Sequence, residues 1–187
     1  MAIGKVGVVG AGMMGSEIAL VFALAGKDVL LVDNGQEQVD RALSNITRVL
    51  DSGIGRNFYT EEDKSRALAS IRTTTDLGEY GDRDLIIEAV FEDAEVKADI
   101  FRRLDEICKA DAIIASNTSS ISISVLASNL SDARQPNFLG LHFFSPVSRM
   151  KLVEVISAMD TSEDARVAAT AACEEAGKVP IQVKDVV

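Results

Sequence analysis

The chain holds a single histidine, His142, set in the apolar run GLHFF at residues 140–144. A little farther on, LVEVI at 152–156 carries a carboxylate, Glu154, between Val153 and Val155. A carboxylate among β-branched residues is costly to bury unless it is paired, and an imidazole is its most economical partner. Such a pair fixes the imidazole's tautomer and raises its basicity, which makes a general acid–base. The bland readings are a histidine that merely fits a core and a glutamate on an exposed strand edge. Upstream, SNTSS at 116–120 supplies hydroxyls. Ser119 or a neighbour could hydrogen-bond a substrate oxygen, or one serine of the run could simply cap a helix beginning near Ile121.

A second cluster lies at the N-terminus, where the run KVGVVG ends in Gly10-Ala11-Gly12-Met13-Met14-Gly15. With a strand before it and a helix after it, this GxGxxG spacing has the context of a dinucleotide fingerprint. Gly10 permits the tight turn, Gly12 lets backbone approach a pyrophosphate, and Gly15 lets the helix pack closely on the sheet. The amides of Met13 and Met14 begin the helix, whose positive end favours phosphate. Asp33 closes the second strand, where it would accept hydrogen bonds from a ribose diol and repel a 2′-phosphate. No arginine follows it directly, so the residues favour NAD over NADP. FAD uses the same fingerprint and stays open, as does a bare turn with no ligand. NAD, a basic imidazole and nearby hydroxyls are together the parts for oxidising an alcohol.

These residues meet only if the segments between them alternate in the right way, and they do. Strand-like runs at 5–10, 28–33, 84–90 and 112–116 are separated by helical patterns at 16–26, 35–53, 60–71 and 95–109. Thr60 and Asp63 sit where a capping box would start the third helix. Two further strands at 137–141 and 151–157, a helix at 160–178 and a closing strand, VPIQVKDVV, complete the chain. Continuous apolar strands alternating with helices predict an α/β, Rossmann-type doubly wound, mostly parallel sheet. In that fold ligands bind beyond the carboxyl ends of the strands. The segment from Glu88 to Glu92, SNTSS and His142 each follow a strand on this reading, so all emerge at the rim that carries the glycine turn.

Bulk properties narrow the class. The 187 residues suit one domain, read as spanning 1–187, and 47% hydrophobic with 26% charged residues is ordinary for a soluble protein. A formal charge of −10 argues against nucleic-acid and membrane-surface partners. No apolar run reaches the length of a membrane span, and MAIGKVGVVG lacks signal-peptide anatomy. Cys108 and Cys173 have neither disulfide-framework nor zinc spacing, so no metal is expected and the cytoplasm is the default compartment. The chain stops just after a strand, which reads as a cut before a second domain.

GAGMMG, Asp33, EAVFED, SNTSS, GLHFFSPV and KLVEVI, in that order, resemble the NAD-binding domain of L-3-hydroxyacyl-CoA dehydrogenases. The resemblance runs from about residue 4 to the end. It implies NAD-dependent oxidation of (S)-3-hydroxyacyl-CoA to 3-ketoacyl-CoA, as in fatty-acid β-oxidation and 3-hydroxybutyryl-CoA metabolism. It implies His142 as catalytic base, Glu154 as its partner carboxylate, and Ser119 as a contact to both substrate hydroxyl and cofactor. Glu92 and Lys97, in FEDAEVK, match residues on the ribose and nicotinamide side. Arg56 falls near the place where a family lysine contacts coenzyme A; Arg48 and Arg56 read equally well as solvated helix charges. Ser145 stands where many members have asparagine, so a nicotinamide amide contact there is weaker or different. Some multifunctional members also carry serine. The family continues into a helical domain that closes over the acyl group and forms most of a homodimer interface; that domain is not in this sequence. Two other readings stand: an NAD-binding module without turnover, and a related dehydrogenase of a non-CoA hydroxy acid.

Overall fold

The computed structural model describes residues 2–185. The β-branched runs become β1 (Lys5–Val9), β2 (Asp28–Val32), β3 (Ile71–Thr74), β4 (Leu85–Glu88), β5 (Ile113–Ser116), β6 (Phe138–Phe143), β7 (Leu152–Ser157) and β8 (Val179–Lys184). Between them run α1 (Met13–Leu24), α2 (Gln36–Ile54), α3 (Glu61–Ser70), α4 (Ala94–Ile107), α5 (Ile123–Ala127) and α6 (Glu163–Glu175). The strands form one sheet in the order β3-β2-β1-β4-β5-β6-β7-β8. All neighbours pair in parallel except β6 and β7. This is the doubly wound, mostly parallel Rossmann-type architecture.

Alternating strand residues feed two cores, one on each face. Val6, Val8, Val29 and Leu31 pack with Ile18 of α1, Ile46 of α2 and Ala169 of α6. Leu30, Ile86 and Ile114 pack on the other face with Phe101 and Leu104 of α4 and Leu126 of α5. Because β1 pairs with β2 on one side and β4 on the other, the chain reverses its winding direction beside β1. That switch opens a crevice at the carboxyl ends of β1 and β4.

Several expectations change in detail. The 60–71 helix stops at Ser70, and Ile71 begins β3, an unanticipated strand. β3 is an edge strand paired only with β2, and three of its four residues (Arg72, Thr73, Thr74) are polar, so its pattern is faint. The Thr60–Asp63 capping box forms. The strand expected at 84–90 ends at Glu88, which is therefore inside the sheet. His142 does not follow its strand but lies within β6. Helix α5 is capped by Ser122, outside SNTSS. Val186 and Val187 of the closing strand lie outside the described residues. Among the described residues no helix is long and apolar enough to cross a membrane.

Candidate active site

The turn after β1 is shaped by what its glycines exclude. Gly10 has a positive φ of 100°, and a Cβ there would meet the Ala89 carbonyl oxygen at 2.7 Å. A Cβ on Gly15 would stand 1.8 Å from the Gly10 carbonyl oxygen, so the first turn of α1 packs directly on the strand end. At Gly12, by contrast, a Cβ would meet nothing within 4 Å. Gly12 is also the N-cap of α1 and provides no side-chain cap, leaving first-turn amides without a capping partner. An open approach and uncapped amides at a helix N-terminus fit a dinucleotide pyrophosphate. Asp33 braces the turn: its Oδ2 accepts from the Ala11 amide at 2.7 Å and its Oδ1 from the Asn34 amide at 2.8 Å. Each oxygen keeps acceptor capacity for a ribose diol. A cleft of about 680 Å3 runs from this turn past Asp33, Met13 and Met14 to Val90, Ile100 and Arg103.

Register explains how the acid–base residues reach the same rim. Val9 is level with Val32 and Glu88, Glu88 with Ser116, and Ser116 with Gly140. β5 ends there, but β6 runs on, supported by antiparallel β7. His142 lies two residues beyond Gly140, directly opposite Glu154. Cross-strand opposition brings the side chains together: His142 Nδ1 lies 2.8 Å from Glu154 Oε2. Donation from Nδ1–H to the carboxylate leaves a lone pair on Nε2, which has no hydrogen-bond partner among the described residues. The two side chains are 18% and 28% exposed, half-buried rather than edge-solvated or sealed in a core. Phe144 lies against the imidazole with ring centroids 4.4 Å apart.

His142 and Ser119 together line two adjoining clefts. One, of about 340 Å3, continues toward the glycine-turn cleft and includes Met14, Glu92, Lys97, Asn117 and Ser145. The other, of about 170 Å3, lies on the far side with Ser122, Glu154 and Asp185. The imidazole and the serine thus stand between a dinucleotide-side pocket and a second pocket. Arg56 is exposed just past the end of α2 and is not among the residues of either cleft.

Glu92 and Lys97 belong to a network whose centre, Glu88, sequence reading left unassigned. Glu88 is 0% exposed, and Lys97 is 1% exposed with its Nζ 2.6 Å from Glu88 Oε1 and 3.1 Å from Glu92 Oε2. Glu88 also accepts from the Val90 amide and, on its other oxygen, from the Ser116 hydroxyl. Glu92 Oε1 gathers the SNTSS turn by accepting from the Thr118 hydroxyl, the Ser119 amide and the Ser120 hydroxyl. Asn117 ties the turn to β6, its Oδ1 accepting from the Phe143 amide at 2.8 Å. The loop after His142 is clamped from the opposite face. Glu17 of α1 accepts from the Ser148 amide, and Lys178 donates to the Val147 and Met150 carbonyls. Glu17 and Lys178 are far from the loop in sequence, and no motif announces them.

Burial raises the Glu92 carboxyl, but the Thr118 hydrogen bond and the Lys97 charge outweigh it and hold the group at about 2, against an ordinary 4.5. A carboxyl lowered by folding contributes stability that is complete above pH 4.5 and is lost as pH falls toward about 2. Its side chain is 38% exposed, so solvent screening keeps the contribution modest. Urea unfolding over that acid window is expected to show a steeper loss of stability in the native chain than in Glu92→Gln. Parallel curves would show that the anchored carboxylate contributes nothing.

Comparison with known proteins finds relatives over nearly the whole chain. Residues 5–186 match the family described as 3-hydroxyacyl-CoA dehydrogenase, NAD binding domain. The chain is 40% identical over 181 residues to a 3-hydroxybutyryl-CoA dehydrogenase of Clostridioides difficile, covering 97% of this chain and 64% of that protein. It is 39% identical over 183 residues to a fatty acid oxidation complex subunit alpha of Psychrobacter sp. (strain PRwf-1), covering 98% of this chain and 25% of that one. The crystal structure of (S)-3-hydroxybutyryl-CoA dehydrogenase from Ralstonia eutropha superposes with a TM-score of 0.95 at 40% identity, over 99% of this chain and 65% of that one. The chain therefore spans from a quarter to just under two thirds of the length of these relatives.

Proposed function

The chain belongs to the 3-hydroxyacyl-CoA dehydrogenase family, matching its NAD-binding domain, and we propose that it holds NAD and the acid–base pair for interconverting (S)-3-hydroxyacyl-CoA and 3-ketoacyl-CoA. The observation that carries this reading is the His142–Glu154 pair, whose free Nε2 faces clefts it shares with Ser119. Glu154 keeps the proton on Nδ1 and stabilises the imidazolium that forms. His142 Nε2 takes the substrate hydroxyl proton in the oxidising direction and returns it to the developing alkoxide in the other. Ser119 hydrogen-bonds the same substrate oxygen and helps fix its distance from the imidazole. Gly10, Gly12 and Gly15, with the amides of Met13 and Met14, hold the pyrophosphate, and Asp33 holds the adenosine ribose. Glu92, Lys97 and Ser145 line the nicotinamide side. When bound, NAD supplies the hydride acceptor.

Relatives named for 3-hydroxybutyryl-CoA dehydrogenase and for the fatty acid oxidation complex support a coenzyme A thioester of fatty-acid metabolism as substrate. In this reading Arg56 is a local positive charge for the coenzyme A phosphates on an otherwise acidic surface. We extend the proposal to a cytoplasmic full-length form, a homodimer through a helical domain that also closes over the acyl group.

The test is NADH absorbance with acetoacetyl-CoA, recorded together with the fluorescence of bound NADH. Steady consumption is the expected result for a form that contains the whole site. Bound NADH without consumption by this chain would favour the binding-module reading, because orientation by further protein contributes much of the rate. Equal consumption with free acetoacetate would move the substrate outside the coenzyme A thioesters. Absence of NADH binding would overturn the reading.

A further inference from the structure

Building on the reading that the cleft of His142, Ser119 and Lys97 takes the nicotinamide end, we infer that Glu88 sets the site's preference between the two oxidation states of the cofactor. Glu88 is wholly buried at the carboxyl end of β4, directly behind that cleft. It accepts from an ammonium, an amide and a hydroxyl, the bonding pattern of a carboxylate rather than a carboxylic acid. One ammonium, that of Lys97, is shared between two carboxylates, Glu88 and Glu92. The three groups carry a net charge of −1, the sum of two anions and one cation. Among the described residues Lys97 is the only basic side chain lining the cleft apart from His142, which acts as a neutral base in this reading. Glu154 adds a further negative charge on the far side of the imidazole.

A structural ion pair would need one carboxylate per ammonium. The second leaves an excess negative charge on a cluster whose Glu88 and Lys97 are sealed from water, so that charge is screened by solvent only on the side where Glu92 meets the cleft. The oxidised nicotinamide ring is a cation and the reduced ring is neutral. An uncompensated anion beside the ring binding position therefore stabilises NAD+ and leaves NADH nearly untouched. Glu88 acts from behind Lys97 and Glu92, as a positioning and charge-setting residue rather than a catalytic one.

The experiment is to titrate native chain, Glu88→Gln and Ser116→Ala with NAD+ by calorimetry and with NADH by fluorescence. Glutamine keeps acceptor oxygen for Val90 and Lys97 while removing the charge. Unit charges about 12 Å apart at an effective dielectric near 20 predict that Glu88→Gln lowers the NAD+ to NADH affinity ratio about tenfold. That ratio corresponds to a rise of about 30 mV in the potential of the bound two-electron couple. Ser116→Ala removes a hydrogen bond to Glu88 without changing charge, so its ratio should stay native. If Glu88→Gln weakens both forms equally, Glu88 is only a structural anchor and the inference is wrong. Should Glu88→Gln fail to fold, Glu92→Gln removes one negative charge from the same cluster at an exposed position. An unchanged ratio in that variant would also overturn the inference. Failure of the native chain to bind either form would instead overturn the underlying reading of the cleft.

Discussion

His142→Gln is expected to bind NADH as tightly as the native protein and to lose about a hundred- to ten-thousand-fold in turnover, the usual share of a positioned acid–base group. Glutamine can still donate to Glu154, so the cross-strand contact at 2.8 Å has a replacement and β6 keeps its register. What disappears is the titratable nitrogen that faces both clefts. Turnover is measured with acetoacetyl-CoA and NADH in a form that consumes NADH, and binding by NADH fluorescence of this chain. Glu154→Gln should lose less, because the imidazole remains and only its tautomer and basicity are released. That order, with His142→Gln the more severe, separates chemistry from support. If NADH affinity collapsed in His142→Gln, the histidine would be a structural residue that happens to line the cleft. If neither affinity nor turnover changed, another group would be the base.

How much of this was readable beforehand depends on how local the signal is. The glycine turn was readable because Gly10 and Gly15 are fixed by sterics over a short span. A Cβ at Gly15 would lie 1.8 Å from a carbonyl oxygen, and no distant residue can relieve that. The Thr60–Asp63 box was readable for the same reason. His142 and Glu154 could be suspected as a pair from chemistry, but their contact comes from the antiparallel register of β6 and β7, which no local pattern states. β3 was hidden because an edge strand with polar residues has weak alternation and follows its helix without a linker. Glu88 was hidden differently. EAVFED places three carboxylates in a short stretch, and only the sheet boundary makes Glu88 fully buried while Glu92 stays partly exposed. The sequence pattern places the whole Glu88–Glu92 segment at the rim, but it does not say that Glu88 is the last strand residue, buried there against Lys97 and Ser116. Sequence therefore yields the parts of the site, while register decides which of them share a hydrogen bond.

Lys97→Met is expected to be the most destabilising single change in the site. Methionine matches the lysine stem in length and apolar character, so packing is largely kept and the loss is the ammonium. Without it, Glu88 stays fully buried beside Glu92 with no countercharge. Breaking a buried pair by removing one partner costs about 3–5 kcal/mol, a large share of the roughly 5–15 kcal/mol that holds a domain folded. The variant has one escape, which is for a carboxyl to take up a proton. Its folded-state pKa is then raised above the unfolded value, so the penalty is relieved at acid pH and grows as pH rises through that raised pKa. Urea unfolding should accordingly show a larger deficit against the native chain at pH 7 than at pH 5. In the double variant Lys97→Met/Glu88→Gln the stranded charge is gone, and most of the lost stability should return, a coupling of about 0.5–3 kcal/mol or more in a double-mutant cycle. Equal deficits at both pH values with no recovery would mean that Lys97 acts through packing alone. Recovery of stability in the double variant would not by itself restore Ser119, because the Lys97 contact that holds Glu92 against the SNTSS turn would still be missing. Fold and site therefore draw on the same ammonium: one carboxylate uses it to stay buried, the other to hold the turn that presents the serine.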